Sequence, residues 1–247
     1  MAVTMIPGID VSGHQPYIDW SRVADSGQRY AFIKATEGGS YKSPTWRAQV
    51  DGARAAGLLV GGYHFSRWEI DNPERQAEHF VRLLEQVGMH PMLPPVLDLE
   101  WCSTGKKDPT TGKTIYHKRP AAEIAAWAAR FLRRLHELTE RTPLVYTGPN
   151  FVRSYLPKVG KAGWDDMQFV ASHPLWVVDY TRGAKAPRQV LPGWDWTFWQ
   201  WIGSSSKTVQ GGRVPGVTKK DGVTLVDCDR NWFCGSEAEL ALFAGVT

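Results

Sequence analysis

Long apolar runs are missing from this 247-residue chain. None approaches the roughly 18 residues that a bilayer-spanning helix needs, so no membrane span is expected. Cysteine is scarce. The three present, Cys102, Cys228 and Cys234, leave one unpaired whatever happens, which argues against a disulfide-stapled scaffold and leaves only a Cys228–Cys234 bridge open. No two cysteines have CxxC spacing, and the seven histidines include no HxxxH or HExxH pair. A zinc signature is therefore absent, and no metal is expected. The opening stretch MAVTMIPGIDVSG has no basic leader, and Pro7 and Gly8 break its apolar run, so no secretory signal is read there.

What is present is ordinary for a folded domain: 43% hydrophobic and 22% charged residues. The length fits a single α/β barrel domain spanning 1–247, with no separate second module. The net charge of +4 favours polyanions, a class that includes nucleic acids but also the teichoic acids of bacterial envelopes. The densest basic group, Lys106, Lys107, Lys113, Lys118 and Arg119, accompanies no nucleic-acid motif and reads as a solvated loop, so no nucleic-acid partner is expected.

Short β-rich runs alternate with helical patterns, as in a parallel βα architecture. Eight strands are expected, at Ile6–Val11, Tyr30–Thr36, Leu58–Phe65, Pro95–Glu100, Leu144–Thr147, Leu175–Tyr180, Thr197–Ile202 and Thr224–Cys228. Pro73–Val87 and Pro120–Thr139 space apolar residues three and four apart, as helices covering a sheet do, and each begins with a proline suited to a first helical turn. Shorter helices are expected at Pro44–Ala56, Pro149–Leu156 and Glu237–Phe243. Helices thin out after Leu156, which predicts a modified barrel of about eight mostly parallel strands with fewer, irregular helices in its second half. Ser103–Lys118 and Ser204–Gly222 lack periodicity and read as long loops.

In a parallel barrel, the loops leaving the C-terminal strand ends build the active site. Five of the expected strands end in acids: Asp10, Glu37, Asp98 with Glu100, Asp179, and Asp227 with Asp229. Any one of these could be a helix cap, but the repetition points to an acidic cleft. The strongest local feature is Pro94-Pro95-Val96-Leu97-Asp98-Leu99-Glu100, in which an apolar strand presents two acids separated by one leucine. Residues i and i+2 share a strand face, with Cα atoms about 6.6 Å apart, so both carboxyls point the same way. Close carboxylates repel, and a buried one can stay protonated near neutral pH and serve as a general acid, which glycosidic bond cleavage requires. The strand alone does not settle which acid does which job. Glu100, at the strand end with the longer side chain, is assigned the acid role beside Asp98.

Twelve tryptophans, several in Trp194-Asp195-Trp196-Thr197-Phe198-Trp199-Gln200-Trp201, suit a sugar-binding cleft, and Trp199 is the candidate stacking ring. Alternation puts Trp199 and Trp201 on one face and Phe198 and Gln200 on the other, so only one set can line the lumen. Tyr63 and Tyr146, near the ends of the third and fifth strands, are candidates for contacts with substrate hydroxyls, and His64 is as well explained as a wall residue.

Gly8-Ile9-Asp10-Val11-Ser12, Lys34-Ala35-Thr36-Glu37-Gly38, Gly62-Tyr63-His64-Phe65, Asp98-Leu99-Glu100, Val145-Tyr146-Thr147, Leu175-Trp176, Trp199-Gln200 and Val226-Asp227, in this order, resemble glycoside hydrolase family 25, the Chalaropsis-type lysozymes. The resemblance implies an N-acetylmuramidase that cuts the β-1,4 bond between N-acetylmuramic acid and N-acetylglucosamine in bacterial peptidoglycan, on a modified barrel and without a cofactor. It puts the general acid at Glu100 and an orienting or charge-stabilising aspartate at Asp98. Asp10 and Asp227 fall in the substrate groove, and Glu37 matches a further segment. Asp229 stands where an asparagine is more usual after the last aspartate. A monomer acting on the bacterial cell wall is expected, as a phage endolysin or a bacterial lysin released by lysis or by export without a signal peptide.

Other readings are weaker. The DxxDxDxE signature of family 18 chitinases would need acids at Leu93 and Val96, which are apolar. A catalytically inactive glycan-binding barrel would fit the aromatic content and the charge, but not an intact acid pair. A metal-dependent deacetylase built on Asp10, His14 and His64 lacks the paired-histidine spacing.

Overall fold

The computed structural model describes residues 4–88, 92–181, 183–203 and 212–246. In chain order these form β1 (Met5–Val11), β2 (Tyr17–Ile18), α1 (Trp20–Asp25), β3 (Tyr30–Glu37), β4 (Tyr41–Lys42), α2 (Trp46–Ala55), β5 (Leu59–Phe65) and α3 (Pro73–Val87). There follow β6 (Val96–Asp98), β7 (Ser103–Lys107), β8 (Thr114–Tyr116), α4 (Ala121–Thr139), β9 (Leu144–Thr147), α5 (Pro149–Tyr155) and α6 (Trp164–Ala171). The chain closes with β10 (Leu175–Val178), β11 (Trp196–Ile202), β12 (Arg213–Thr218), β13 (Leu225–Asp227), β14 (Asp229–Cys234) and α7 (Glu237–Phe243).

Eight strands close a barrel in the order β1-β14-β11-β10-β9-β6-β5-β3, with β3 pairing back to β1 and β4 added beside β3. Barrel neighbours run parallel except around β14, which is antiparallel to both β1 and β11; the added β4 is antiparallel to β3. Seven of the expected strands are barrel strands. The eighth is not: β13, within the expected Thr224–Cys228, pairs with β12 in a small outlying sheet that also holds β2. The chain reverses after Asp227, and β14 completes the barrel in its place. That substitution moves the last acid of the lumen by two residues.

Alternation along the strands builds two cores. Outward residues such as Ile9, Ile33, Val60, Leu97, Leu99, Val145 and Val177 pack against the helices, which bury Phe80, Leu84, Trp127, Phe131 and Leu135 at helical spacing. Inward residues fill the lumen, with Ile6, Tyr30, Phe32, Val96, Leu144, Trp176, Phe198 and Phe233 in one apolar cluster. Phe32 stacks on Trp176 at 4.5 Å, and Phe198 meets Phe32 edge-on at 5.1 Å. Gly8 is required here, because a Cβ on it would lie 2.4 Å from the ring of Tyr30. Helix α7 plugs the bottom, with Leu240 and Ala244 in the same cluster and Phe243 5.9 Å from Phe198. Its entry is fixed by a capping box between Ser236 and Glu239. The lumen is thus a packed apolar floor, and only its upper, C-terminal end is polar.

Two expected loops differ. Ser103–Lys118 is a β-hairpin, β7–β8, whose tight turn is held by Asp108 Oδ1 accepting from the backbone N–H groups of Thr110 at 3.0 Å and Thr111 at 2.7 Å. Of Ser204–Gly222, residues 204–211 lie outside the described residues, and much of the remainder is β12. Helices α1 and α6, unforeseen in the sequence, are only six and eight residues long. The three cysteines are free thiols, so Cys228 and Cys234 form no bridge.

Candidate active site

The polar end of the lumen opens into a cavity of about 220 Å3, lined by Asp10, Lys34, Tyr63, Asp98, Glu100, Tyr146, Trp176, Gln200 and Asp229, with Ser12, His14 and Gln15 on its rim. Asp10, Lys34, Tyr63, Asp98, Tyr146, Trp176, Gln200 and Asp229 come from the inward faces of their strands, Glu100 follows β6, and the side chains below them are the aromatic floor.

Asp98 ends β6, paired between β5 and β9. Beyond it the chain stays tethered: Leu99 N–H donates to the Tyr146 carbonyl at 2.9 Å, and Ser66 N–H donates to the Asp98 carbonyl at 3.0 Å. Trp68, fully buried, donates its indole N–H to the Glu100 carbonyl at 2.7 Å. These bonds fix Glu100 where the strand runs out, with Leu99 turned into the helix-side core. Asp98 and Glu100 therefore share the cavity, as the one-residue spacing implies.

Burial dominates the electrostatics. It raises the Glu100 carboxyl to about 7, with Lys34 pulling down and Asp229 pushing up. Asp98 is held well above the ordinary carboxylate range, first by burial and then by the charge of Glu100. Its Oδ1 is buried without a hydrogen-bond partner among the described residues. Asp10 is also raised, by burial and then by Asp229, although its Oδ2 accepts hydrogen bonds from Gln200 Nε2 and Asn231 Nδ2, each at 2.8 Å. Gln200 extends this network, because its Oε1 accepts from the hydroxyls of Tyr146 at 2.8 Å and Tyr180 at 2.5 Å. Asn231 Oδ1 accepts from the Trp176 indole at 2.8 Å. Burial also raises the Tyr63 and Tyr146 phenols, which stay protonated and able to donate.

Of the site residues expected from sequence, Asp10, Tyr63, Asp98, Glu100 and Tyr146 converge on the cavity. Glu37 stands outside it, accepting from Lys34 Nζ at 2.7 Å and from Arg67 at 3.2 Å, so it holds the cavity's lysine rather than lining the cavity. Asp227 is a correction. Its side chain is 55% exposed on β13, 3.7 Å from Arg213, and the acid facing the lumen is Asp229, paired in register with Asp10 across β1 and β14. The asparagine expected after the last aspartate is then Asn231, two residues beyond Asp229. Trp199 is a second correction. It points to the helix side, buried, with its indole N–H donating to the Asp179 carbonyl at 2.9 Å. The inward set of β11 is Phe198 and Gln200.

Asp179, another strand-end acid, is taken up by Arg188, which binds it at 2.9 Å and, together with Thr181, outweighs burial and lowers its carboxyl. His64 also faces away, between Thr36 at 2.8 Å and Gln76 at 3.1 Å, and burial lowers it to about 3. Asp10, His14 and His64 therefore do not converge, and among the described residues no group of three or more His, Cys, Asp or Glu side chains is placed to hold a metal.

Among the residues missed in the sequence are Lys34 and Gln200, which line the cavity, and Asn231, which holds Asp10 without lining it. Lys34 is the single basic residue of the apolar strand YAFIKATE, three residues before its terminal Glu37, and that isolation was the available signal. Gln200 could be found only by choosing between the two faces of β11, and Asn231 only by recognising β14.

The chain is similar in sequence and fold to known proteins. The profile of Glycosyl hydrolases family 25 matches residues 9–211. Lysozyme M1 of Streptomyces globisporus is 31% identical over 243 residues, covering 98% of this chain and 72% of that protein. The N,O-diacetylmuramidase of Chalaropsis sp is 32% identical over 200 residues, covering 79% of this chain and 87% of that one. Among solved structures, the bacterial lysozyme from Streptomyces coelicolor aligns with a TM-score of 0.73 at 31% identity, covering 98% of each chain. The muramidase from Acremonium alcalophilum aligns at 0.71 and 28% identity, over 97% of this chain and 99% of that one.

Proposed function

The chain belongs to family 25 of the glycosyl hydrolases, and on that premise we propose that it is a lysozyme, an N-acetylmuramidase hydrolysing the β-1,4 bond from N-acetylmuramic acid to N-acetylglucosamine in bacterial peptidoglycan. The observation that carries the reading is the Glu100 carboxyl, raised to about 7 in a walled cavity beside Asp98, so that a large fraction holds its proton at neutral pH.

Glu100 gives that proton to the bridging oxygen as the bond from that oxygen to the anomeric carbon breaks. Water then delivers hydroxide to the carbon, and its remaining proton returns to the carboxylate. The transition state carries positive charge at the sugar ring, and the acid cluster around it, Asp10, Asp98 and Asp229, opposes that charge through those members that have given up their protons. Asp98 Oδ1, buried and without a partner, suits the acetamido N–H of the substrate, whose binding would satisfy it. Tyr63 and Tyr146 are placed to contact sugar hydroxyls, and the edge of Trp176 gives the floor an apolar surface.

The test is Glu100→Gln, which preserves shape and removes the proton donor. The variant should remain folded and lose clearance of peptidoglycan suspensions, and the wild-type digest should show muramic acid at the new reducing ends by mass spectrometry. Undiminished clearance, or glucosamine at those ends, overturns the reading.

A further inference from the structure

The hairpin β7–β8 begins three residues after Glu100 and carries a feature that the cavity does not use. Residues 103–118 contain Lys106, Lys107, Lys113 and Lys118 against a single acid, Asp108. Their net +3 is most of the chain's +4, concentrated on sixteen residues.

The four lysines are exposed. None enters any ion pair among the described residues. The one acid is turned inward, its Oδ1 occupied by Thr110 and Thr111. Lys106, Lys107 and Lys113 gather at the tip, where Asp108 N–H donates to the Lys113 carbonyl at 2.8 Å, while Lys118 sits at the base. Gly105, at φ 75, takes up the extra residues of β7 as a bulge. The base is fastened to the site by His117 N–H donating to the Cys102 carbonyl at 2.9 Å and by Tyr116 packing 6.4 Å from Trp101.

A two-stranded hairpin is marginal by itself. Four unpaired like charges on it add repulsion that a polyanion relieves. The charges are lysine ammonium groups, point charges on flexible stems, which suit single anions spaced along a flexible chain. Paired carboxylates favour the planar fork of arginine, and Arg119 at the base is engaged instead with Glu123 and the Trp68 carbonyl. The spread from base to tip fits a polymer better than one small ion.

We propose that this arm is a docking surface for the phosphodiester-linked polyanion that some bacterial walls carry, holding the enzyme on the wall with Glu100 at the foot of the arm. The proposal rests on the muramidase reading for its biological sense but not for its test.

Binding is measured by co-sedimentation with purified walls bearing the phosphodiester polymer and with the same walls after hydrofluoric acid extraction. Both proteins carry Glu100→Gln so that the walls persist, and one also carries Lys106→Gln, Lys107→Gln, Lys113→Gln and Lys118→Gln. On polymer-bearing walls at low salt the fourfold variant should bind about tenfold or more weakly, with a log–log salt slope shallower by roughly 3, since each phosphate contact adds about 0.7 to 0.9. On extracted walls the two should bind alike. Equal binding on polymer-bearing walls overturns the proposal, as does an equal deficit on extracted walls, which would assign the lysines to peptidoglycan itself. Lys106→Gln with Lys113→Gln, both in the exposed hairpin, provides a two-site variant should the fourfold one misfold. Failure of the wild-type chain to cut short, polymer-free glycan would overturn the muramidase reading and leave the binding result standing.

Discussion

Gln200 Nε2 donates to Asp10 Oδ2 at 2.8 Å across the lumen, while the same amide's oxygen accepts from Tyr146 and Tyr180. One neutral side chain thus fixes an acid on the first strand and two phenols on the opposite wall. Replacing it with an apolar residue of similar size removes these three hydrogen bonds, and a longer one to Asp229 at 3.5 Å, from a buried network. Gln200→Leu should lose about 1–3 kcal/mol of stability through groups left unsatisfied. Its kcat should fall about tenfold or more as the cavity wall loosens. Thermal unfolding and turbidity rates check both; unchanged kcat would mean that the network only supports the fold.

The pH profile follows from the proton that Glu100 must hold. Its carboxyl is raised to about 7, so the alkaline limb of kcat/KM should fall near that value. Lys34 lowers it, so Lys34→Met should move the limb to higher pH. A limb that stays in place in this variant would separate Lys34 from the titration.

Stability should move with pH in the sense set by the same group. Unfolded, Glu100 titrates near its ordinary 4.5; folded, near 7. Between these values the unfolded chain has already released the proton that the native state keeps, so native stability is fullest below about 4.5 and falls as pH rises through 7. Glu100→Gln has no charge to bury. At pH 8 it should be the more stable protein by about 1–3 kcal/mol, and at pH 5 the gap should narrow. Parallel thermal melts at the two pH values would show this, and a constant gap would place the effect elsewhere.

How much of this was legible in the sequence depended on whether the signal was local. Asp98 and Glu100 could be read because one leucine between two acids on an apolar strand forces a shared face. The helix Pro73–Val87 was equally plain, since its apolar spacing and proline start are carried within fifteen residues. Trp199 could not be resolved, because alternation divides β11 into two faces without saying which looks inward. The answer lies in β14, whose Asn231 pairs with Gln200. The hairpin at Ser103–Lys118 was hidden by its Lys, Gly and Thr content, which carries no apolar face to mark it. Nor could the end of the barrel be read: Leu225–Asp227 is a strand, as expected, but period-two patterning does not tell which of two adjoining strands closes a barrel.

That ambiguity gives the sharpest comparison, between two aspartates separated by one cysteine. Asp227 is solvent-exposed, and its contact with Arg213 at 3.7 Å is of the surface kind that contributes little, about 0–1 kcal/mol. Asp229 lies in the cavity opposite Asp10, and its charge pushes up both Asp10 and Glu100. Asp227→Asn should therefore leave the rate within about twofold, as surface changes of under 0.5 kcal/mol do. Asp229→Asn should move the alkaline limb of kcat/KM to lower pH, because Glu100 loses a neighbour that favours its protonated form, and should slow the reaction at pH 7 more than at pH 5. The two variants differ in position by two residues and in nothing else chemically. If Asp227→Asn shifts the limb and Asp229→Asn does not, the lumen is closed by β13 rather than by β14, and the assignment of the cavity wall fails with it.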